Sequence, residues 1–306
     1  MLRYIINRLL QSILVVLGLS VMVFVILHLT GDPAALMMPP DTTQEQLAAF
    51  RREMGFDQPL HVQYVRFLRD AACGDFGFSL RHKEPVLSLV LERLPATYEL
   101  TFASALLSLA IAVPIGVFSA VRRNTAWDRL SMAAAVLGQA MPVFWLGLMM
   151  IILFGLKLHV LPISGRGTLS HLILPSVTLG IYFIARNARL VRSSMLEVLR
   201  QDYVTTARAK GLSERVVIWK HAFKNSLIPV ITLVGVEFGT LLGGAIITET
   251  VFAWPGVGRL TVQAINNRDF PLVMGSVMIL ALTLVVINLI IDLFYVFLDP
   301  RIKYTE

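Results

Sequence analysis

The sequence predicts an all-α, polytopic membrane protein, and three observations carry that prediction. The chain of 306 residues is 56% hydrophobic with a mean hydropathy of +0.71, above the roughly 45–50% apolar content of ordinary soluble domains. Only 15% of its residues are charged, and much of the Lys and Arg flanks apolar runs, where positive charge orients spanning helices. Several of those runs approach the ~20 residues that a helix rising about 1.5 Å per residue needs to cross a hydrocarbon core of about 30 Å. The net charge of +7 is therefore assigned to membrane lipid, and nucleic acid is not an expected partner. The single cysteine, Cys73, allows no internal disulfide and no zinc-binding cysteine cluster.

Six transmembrane helices are expected. Leu9 to Leu29, preceded by Arg3 and Arg8, makes the first within residues 1–30; its length exceeds the apolar core of a cleaved signal peptide. Residues 31–97 change to the composition of a small external helical insert, with turns at Gly31-Asp32-Pro33, Pro39-Pro40 and Gly74-Asp75-Phe76-Gly77 and helical spacing over Gln44 to Met54 and Pro59 to Ala72. Tyr98 to Val121 and Leu130 to Leu156 follow, carrying Pro114 and Pro142. Prolines inside spans leave a carbonyl unpaired, either as a simple packing kink or as part of a pathway lining.

The fourth span is Leu172 to Ala185, continuing as helix past Arg186, Arg189 and Arg192, a basic stripe expected at the lipid headgroups. The fifth, Leu227 to Ile247, holds Gly235, Gly239 and Gly243 at four-residue spacing, a pattern that lets another helix approach closely. The sixth is Val273 to Leu298, and 300–306 is a tail. Placing both termini in the cytoplasm puts Arg122, Arg123, Arg129, the nine basic residues from Arg186 to Lys224, Arg301 and Lys303 inside with Arg3 and Arg8; only Lys157, Arg166, Arg259 and Arg268 then lie in the short outside loops. The positive-inside rule selects that orientation.

The long polar interruption between the fourth and fifth spans becomes a structured cytoplasmic loop, residues 190–226. Ser193 to Lys210 reads as a helix, Gly211 as its left-handed cap, and Ser213 as the N-cap of a second helix beginning at Glu214. Val216, Val217, Trp219, Ala222 and Phe223 give the second helix apolar surface and Arg215, Lys220 and Lys224 supply charge, a combination that calls for something to dock against.

The run Thr205-Thr206-Ala207-Arg208-Ala209-Lys210-Gly211-Leu212, with His221-Ala222-Phe223-Lys224-Asn225 and Ile228-Pro229 after it, resembles the EAA loop of ABC importer permeases in the form used by the dipeptide, oligopeptide and nickel branch. Gly31-Asp32-Pro33, Leu94-Pro95-Ala96-Thr97, Arg192-Ser193-Ser194-Met195 and the stretch from Glu249 to Leu260 extend the resemblance over nearly the whole chain. Where the general motif has Glu-Ala-Ala, this chain has Thr205-Thr206-Ala207, so the resemblance covers the turn but not the acidic residue.

The resemblance implies a type I ABC importer permease fold, with the core over 98–299 in the bacterial inner membrane. Asp202, Tyr203, Ala207, Ala209, Lys210, Gly211, Leu212 and Ser213 would then couple to a cytoplasmic ATPase. It also implies partners: a second homologous permease subunit forming a heterodimer, one or two ATPase subunits, and an extracytoplasmic substrate-binding protein. No phosphate-binding Gly-x-x-x-x-Gly-Lys-Ser/Thr loop occurs in the chain, so it is not expected to be an enzyme; ATP and Mg would sit on the partner ATPases and no cofactor on this chain.

Candidate pathway residues are Met141, Pro142, Glu237 and Phe238. Glu237 stands mid-span, where a charge must be paired or hydrated. It points about 200° away from Gly235, either into a cavity that meets a peptide's amino group or into a structural hydrogen bond. Asn288 and Asp292 share a face near the end of the sixth span, and Met149 and Met150 suit either a soft cavity wall or plain packing. His28, His159, His171 and His221 lack ligand spacing, so no metal site is indicated. An ion-driven transporter using Glu237 and Asp292 is the rival class, opposed by the absence of an evident inverted repeat. An intramembrane hydrolase lacks a paired nucleophile and base. Peptides are the expected cargo, with glutathione or nickel as alternatives for the same machinery.

Overall fold

A computed structural model describes residues 2–29, 31–38, 41–79 and 81–298; the expected Pro39-Pro40 turn and the 300–306 tail lie outside the described residues. Among the described residues the regular structure is helical apart from a two-stranded antiparallel ribbon, and they fall into two units, the first within 1–96 and 255–294 and the second within 97–254 and 295–298. Among the described residues four helices are long and apolar enough to cross a membrane, with windows at Leu9–Ile26, Val86–Val121, Leu169–Val198 and Phe270–Ile291, and a bent pair makes a fifth if counted as one span.

The first unit opens with α1 (Leu2–Leu29) and continues into short helices set by local caps. In α2 (Pro33–Met37) the Asp32 carboxylate accepts from the Ala34 N–H at 3.1 Å. Before α3 (Gln44–Met54) the Thr43 hydroxyl and the Gln46 side chain satisfy each other's backbone N–H groups, and Gly55 ends the helix at φ +75°, a left-handed turn that suits glycine. After α4 (Leu60–Ala72) the ribbon β1 (Phe78–Ser79) and β2 (Glu84–Pro85) pairs Phe78 with Pro85 and Ser79 with Glu84. The core of the unit joins Phe76, Val86 and Val90 to Leu260 of α12 (Val257–Asn266) and to Leu272 and Val273 of α13 (Phe270–Leu298). A Cβ on Gly275 would stand 2.4 Å from the Val86 Cγ1, so this approach requires glycine. At the corner before α13, Asp269 accepts from the Ser79 hydroxyl and from the Leu272 N–H, tying the ribbon to the helix start.

Helix α5 (Val86–Val121) starts twelve residues earlier than the Tyr98 expected from the sequence. Its 36 residues extend about 54 Å, well beyond a single hydrocarbon core.

In the second unit, α6 (Ala126–Ala140) and α7 (Val143–Met150) replace the single span expected over Leu130 to Leu156. They meet at 106°, far more than a kink. Pro142 precedes the first residue of α7, and Met141 before it is held extended at φ −79°, ψ 132°, as a residue preceding proline prefers. Helix α7 runs on as a wider π-helical segment, Ile151–Lys157.

Helix α8 (Leu169–Val198) touches α5, α6 and α11 (Phe223–Val251). Helix α8 approaches α5 closely at Gly116, whose Cβ would lie 2.6 Å from the Val191 Cβ and 2.7 Å from the Ala188 carbonyl oxygen. Gly180 of α8 faces the Ser104 carbonyl in the same way, at 3.1 Å. Small residues therefore bring α5 and α8 together, as they do between helices in lipid.

Candidate functional site

Helix α8 ends at Val198, and after the break at 199–201 a separate helix α9 (Asp202–Ala209) begins, where the sequence reading had one helix from Ser193 to Lys210. The turn itself is as expected. Gly211 lies at φ +75°, its N–H donates to the Arg208 carbonyl at 2.9 Å, and Ser213 occupies the N-cap position of α10 (Glu214–Val216). The Ser213 side chain makes no capping bond; instead the Arg208 guanidinium reaches across the turn to Glu214 at 2.7 Å. Helix α10 widens into a π-helical segment, Val217–Ala222, which runs unbroken into α11. Such widened turns recur at functional positions in helices.

Burial divides this helix–turn–helix in two. Val204, Ala207 and Val217 are buried and touch Val198 and Leu199; Ala222 joins Val117, Ala120, Val191 and Met195 in a second cluster. Asn225 donates to the Tyr203 hydroxyl at 2.9 Å, fastening α9 to the start of α11. The opposite side exposes Tyr203, Leu212, Val216 and Trp219. Of the residues singled out in the sequence, Asp202, Tyr203, Ala209, Lys210, Gly211, Leu212 and Ser213 are on the outer surface, whereas Ala207 faces inward and positions the others. Val217 and Ala222, expected on the apolar surface of the second helix, also turn inward.

Beside this motif lies a set of polar pairs between helices of the same unit, two of them built on buried carboxylates. The arginines of the α8 stripe each reach a polar side chain of a neighbouring helix, while Arg189 itself stays exposed. Arg192 makes a two-pronged bond to Asp128 of α6 at 2.7 and 2.8 Å, Arg189 reaches Gln139 of α6, and Arg186 lies 3.5 Å from Glu237 of α11. Asp128 is 3% exposed and Glu237 2%. Asn187 donates to Glu237 Oε2 at 2.8 Å. Of the two arrangements weighed for Glu237, the geometry holds the hydrogen bond: the carboxylate is fastened to α8.

Phe238 is half-buried, and Met141 is exposed at the α6–α7 bend beside Pro142. No atom comes within 4 Å of a Cβ built on Gly243, so the close approach expected there is not made within this chain; its neighbour Gly244 meets Leu179 at 3.2 Å. Gly239 is half-buried, and the surroundings of Gly235 and Asp292 lie outside the described side chains.

Three pairs escaped the sequence reading: Asp128 with Arg192, the Thr97 hydroxyl donating to the fully buried Glu249 at 2.7 Å, and Arg166 with Glu99 at 2.6 Å. Glu249 opens a stretch already noted for its resemblance, and an acidic residue at the end of an apolar span was the available signal. The partners are 64, 152 and 67 positions apart, and nothing in one sequence joins them.

Residues 112–304 match the family model described as binding-protein-dependent transport system inner membrane component, and residues 1–101 match the N-terminal model of the same system. The chain belongs to that family. It is thus an inner-membrane permease component of a binding-protein-dependent ABC importer. Relatives align over almost their full length. A dipeptide transport system permease protein of Alkalihalophilus pseudofirmus is 41% identical, covering 99% of this chain and 100% of the relative. A glutathione transport system permease protein of Salmonella paratyphi A is 42% identical over the same shares. Among solved structures, the methionine ABC transporter MetNI in an inward-facing conformation aligns with TM-score 0.55 at 20% identity, covering 68% of this chain and 95% of that one. An amino acid ABC transporter aligns with TM-score 0.51 at 17% identity, covering 68% and 92%. These two likenesses establish the shared fold.

Proposed function

We propose that this permease component carries peptides, or a closely related small solute, across the cytoplasmic membrane while partner subunits hydrolyse ATP. The observation that carries the coupling role is the two-sided helix–turn–helix of residues 202–222. Its inner residues are bound into α5, α8 and α11, while its outer residues form an unpartnered apolar and basic surface. A push on that surface moves α8 and α11 together, because α10 runs without a break into α11 and α9 is packed on Val198 and Leu199. Tyr203, Leu212 and Gly211 would seat in an ATPase subunit holding ATP and Mg, with no cofactor on this chain.

Six spans would result if the 29-residue α11 crosses the membrane along with α1, α5, the bent α6–α7 pair, α8 and α13. With both termini cytoplasmic, the insert of residues 31–97 is extracytoplasmic and available to a substrate-binding protein. The exposed Gly243 and the apolar side chains Phe144, Trp145 and Leu148 would then meet lipid or a second permease subunit in a heterodimer. The dipeptide and glutathione relatives support a short peptide as cargo.

The test is to purify the complex from its native membrane, identify the co-purifying chains, and measure ATP-dependent uptake of labelled dipeptide and glutathione in liposomes. An ATPase and a second permease, with uptake of either peptide, are expected. Recovery of this chain alone, active with an ion gradient, would overturn the proposal.

A further inference from the structure

The corner between α5 and α6 is built separately from the helix–turn–helix, and it faces outward. Helix α5 stays apolar to its last residue, Val121, and Arg122 and Arg123 follow at once. Asn124 then turns the chain at φ +64°, a left-handed conformation that asparagine tolerates, and donates its N–H to Asp128 Oδ2 at 2.9 Å. The Thr125 hydroxyl donates to the Arg122 carbonyl at 2.7 Å and accepts from the Asp128 N–H. The turn is therefore fixed by its own bonds.

Those bonds also decide the charge that the corner displays. Asp128 is the one acidic residue between Val121 and Leu130, and it is buried and turned inward to Arg192. Arg122, Arg123 and Arg129 stay exposed, and among the described residues none of the three is ion-paired. Exposed apolar side chains stand on both legs of the turn. Phe118 and Val121 lie on α5, while Trp127, Leu130, Ala134 and Leu137 of α6 recur at steps of three and four residues, which is one face of a helix. Trp127 opens that face with 70% of its surface exposed. Cations at the tip, an indole beside them and apolar side chains along both legs follow the profile of a bilayer from headgroup to acyl chain. A soluble phosphate would match the tip alone.

We propose that this corner binds an anionic phospholipid. Its phosphate lies among Arg122, Arg123 and Arg129, the Trp127 indole stands at the level of the glycerol, and the acyl chains lie against Phe118, Leu130 and Leu137. The leaflet is the one nearer the helix–turn–helix, because Asp128 is bound to Arg192 on the stretch of α8 that leads to α9. The inference does not depend on the solute carried.

Native mass spectrometry of the intact, delipidated complex tests it, with phosphatidylglycerol and phosphatidylcholine of identical chains added separately. Phosphatidylglycerol adducts on this subunit should predominate. Each arginine near an anionic lipid surface is worth about a fivefold preference. Arg122→Gln, Arg123→Gln and Arg129→Gln should therefore each reduce the preference by about that factor, and the triple variant should abolish it. Arg122→Lys should keep most of it, and Trp127→Ala should lower adducts of both lipids while the headgroup preference survives. Arg52→Gln, at an exposed position of the insert, should leave binding unchanged. Equal adducts of the two lipids, or a preference that none of the three single Gln variants alters, would overturn the proposal. So would displacement of the lipid by inorganic phosphate, or a triple variant that keeps its lipid but loses a co-purifying subunit, which would make the corner a protein contact.

Discussion

In the bundle formed by α5, α6, α8 and α11, all three arginines of the stripe from Arg186 to Arg192 end beside a polar side chain of another helix. Along the helix–turn–helix that follows, Lys210, Arg215, Lys220 and Lys224 stand exposed, and Arg208 reaches only across its own turn to Glu214. The two regions are adjacent in sequence and alike in charge, yet one uses its cations to hold helices together and the other offers them outward. What separates them is the neighbouring helices: the stripe runs beside α6 and α11, which bury Asp128 and Glu237, whereas the outer side of the motif is exposed. A buried carboxylate needs a partner, whereas a cation in water gains little from pairing. The bundle is therefore expected to respond to substitution through stability, and the surface motif through function.

Asp128→Ala should have the largest effect on stability, because it leaves the Arg192 guanidinium unpaired beside a buried site. A loss of about 1.5–3 kcal/mol is expected, the range for hydrogen bonds to a charged group, read as a fall in melting temperature or in folded yield in detergent. Gly116→Leu comes next. The Cβ alone would sit 2.6 Å from Val191, and overpacking of this kind costs about 1–3 kcal/mol, so the melting temperature should drop while the ATPase still co-purifies.

Gly211→Pro sharpens the contrast from the other side. Proline cannot reach φ +75°, but nothing lies within 4 Å of a Cβ at this position. The melt should therefore shift less than with Gly116→Leu, while ATP-driven uptake is lost and insertion is retained. Normal uptake by that variant would remove the coupling role. Arg208→Gln is the smallest: its partner Glu214 is 60% exposed, so breaking the pair should cost no more than about 1 kcal/mol, visible at most as a slight melting shift that salt reduces.

Much of the local structure was legible in the sequence because it rests on local chemistry. Helical spacing places α3 over Gln44 to Met54, and Gly211 and Ser213 place the turn, since each signal lies within a few residues of its effect. The start of α5 was hidden by Glu92, Arg93 and Pro95, which read as loop but sit in a helix that extends past any membrane. The partners of the arginine stripe were hidden for another reason: a 3.6-residue period tells which residues share a face but not which side chains of α6 or α11 they meet. The glycines show the same limit. The regular spacing of Gly235, Gly239 and Gly243 drew notice, while the unpatterned Gly116 and Gly180 make the close approaches. The outer face of the helix–turn–helix was legible only in part, because Ala207, Val217 and Ala222 turn inward on a surface that also carries Tyr203 and Trp219.

The most direct test of the coupling role is a photo-crosslinking amino acid placed at Leu212, with the same group at exposed Leu169, at the opposite end of α8 from the motif, as the comparison. The complex would be irradiated in native membranes. A covalent adduct between the Leu212 probe and an ATPase subunit, its yield altered by ATP and absent from the Leu169 probe, is the predicted result. No ATPase adduct at Leu212, or equal adducts at both positions, would contradict it.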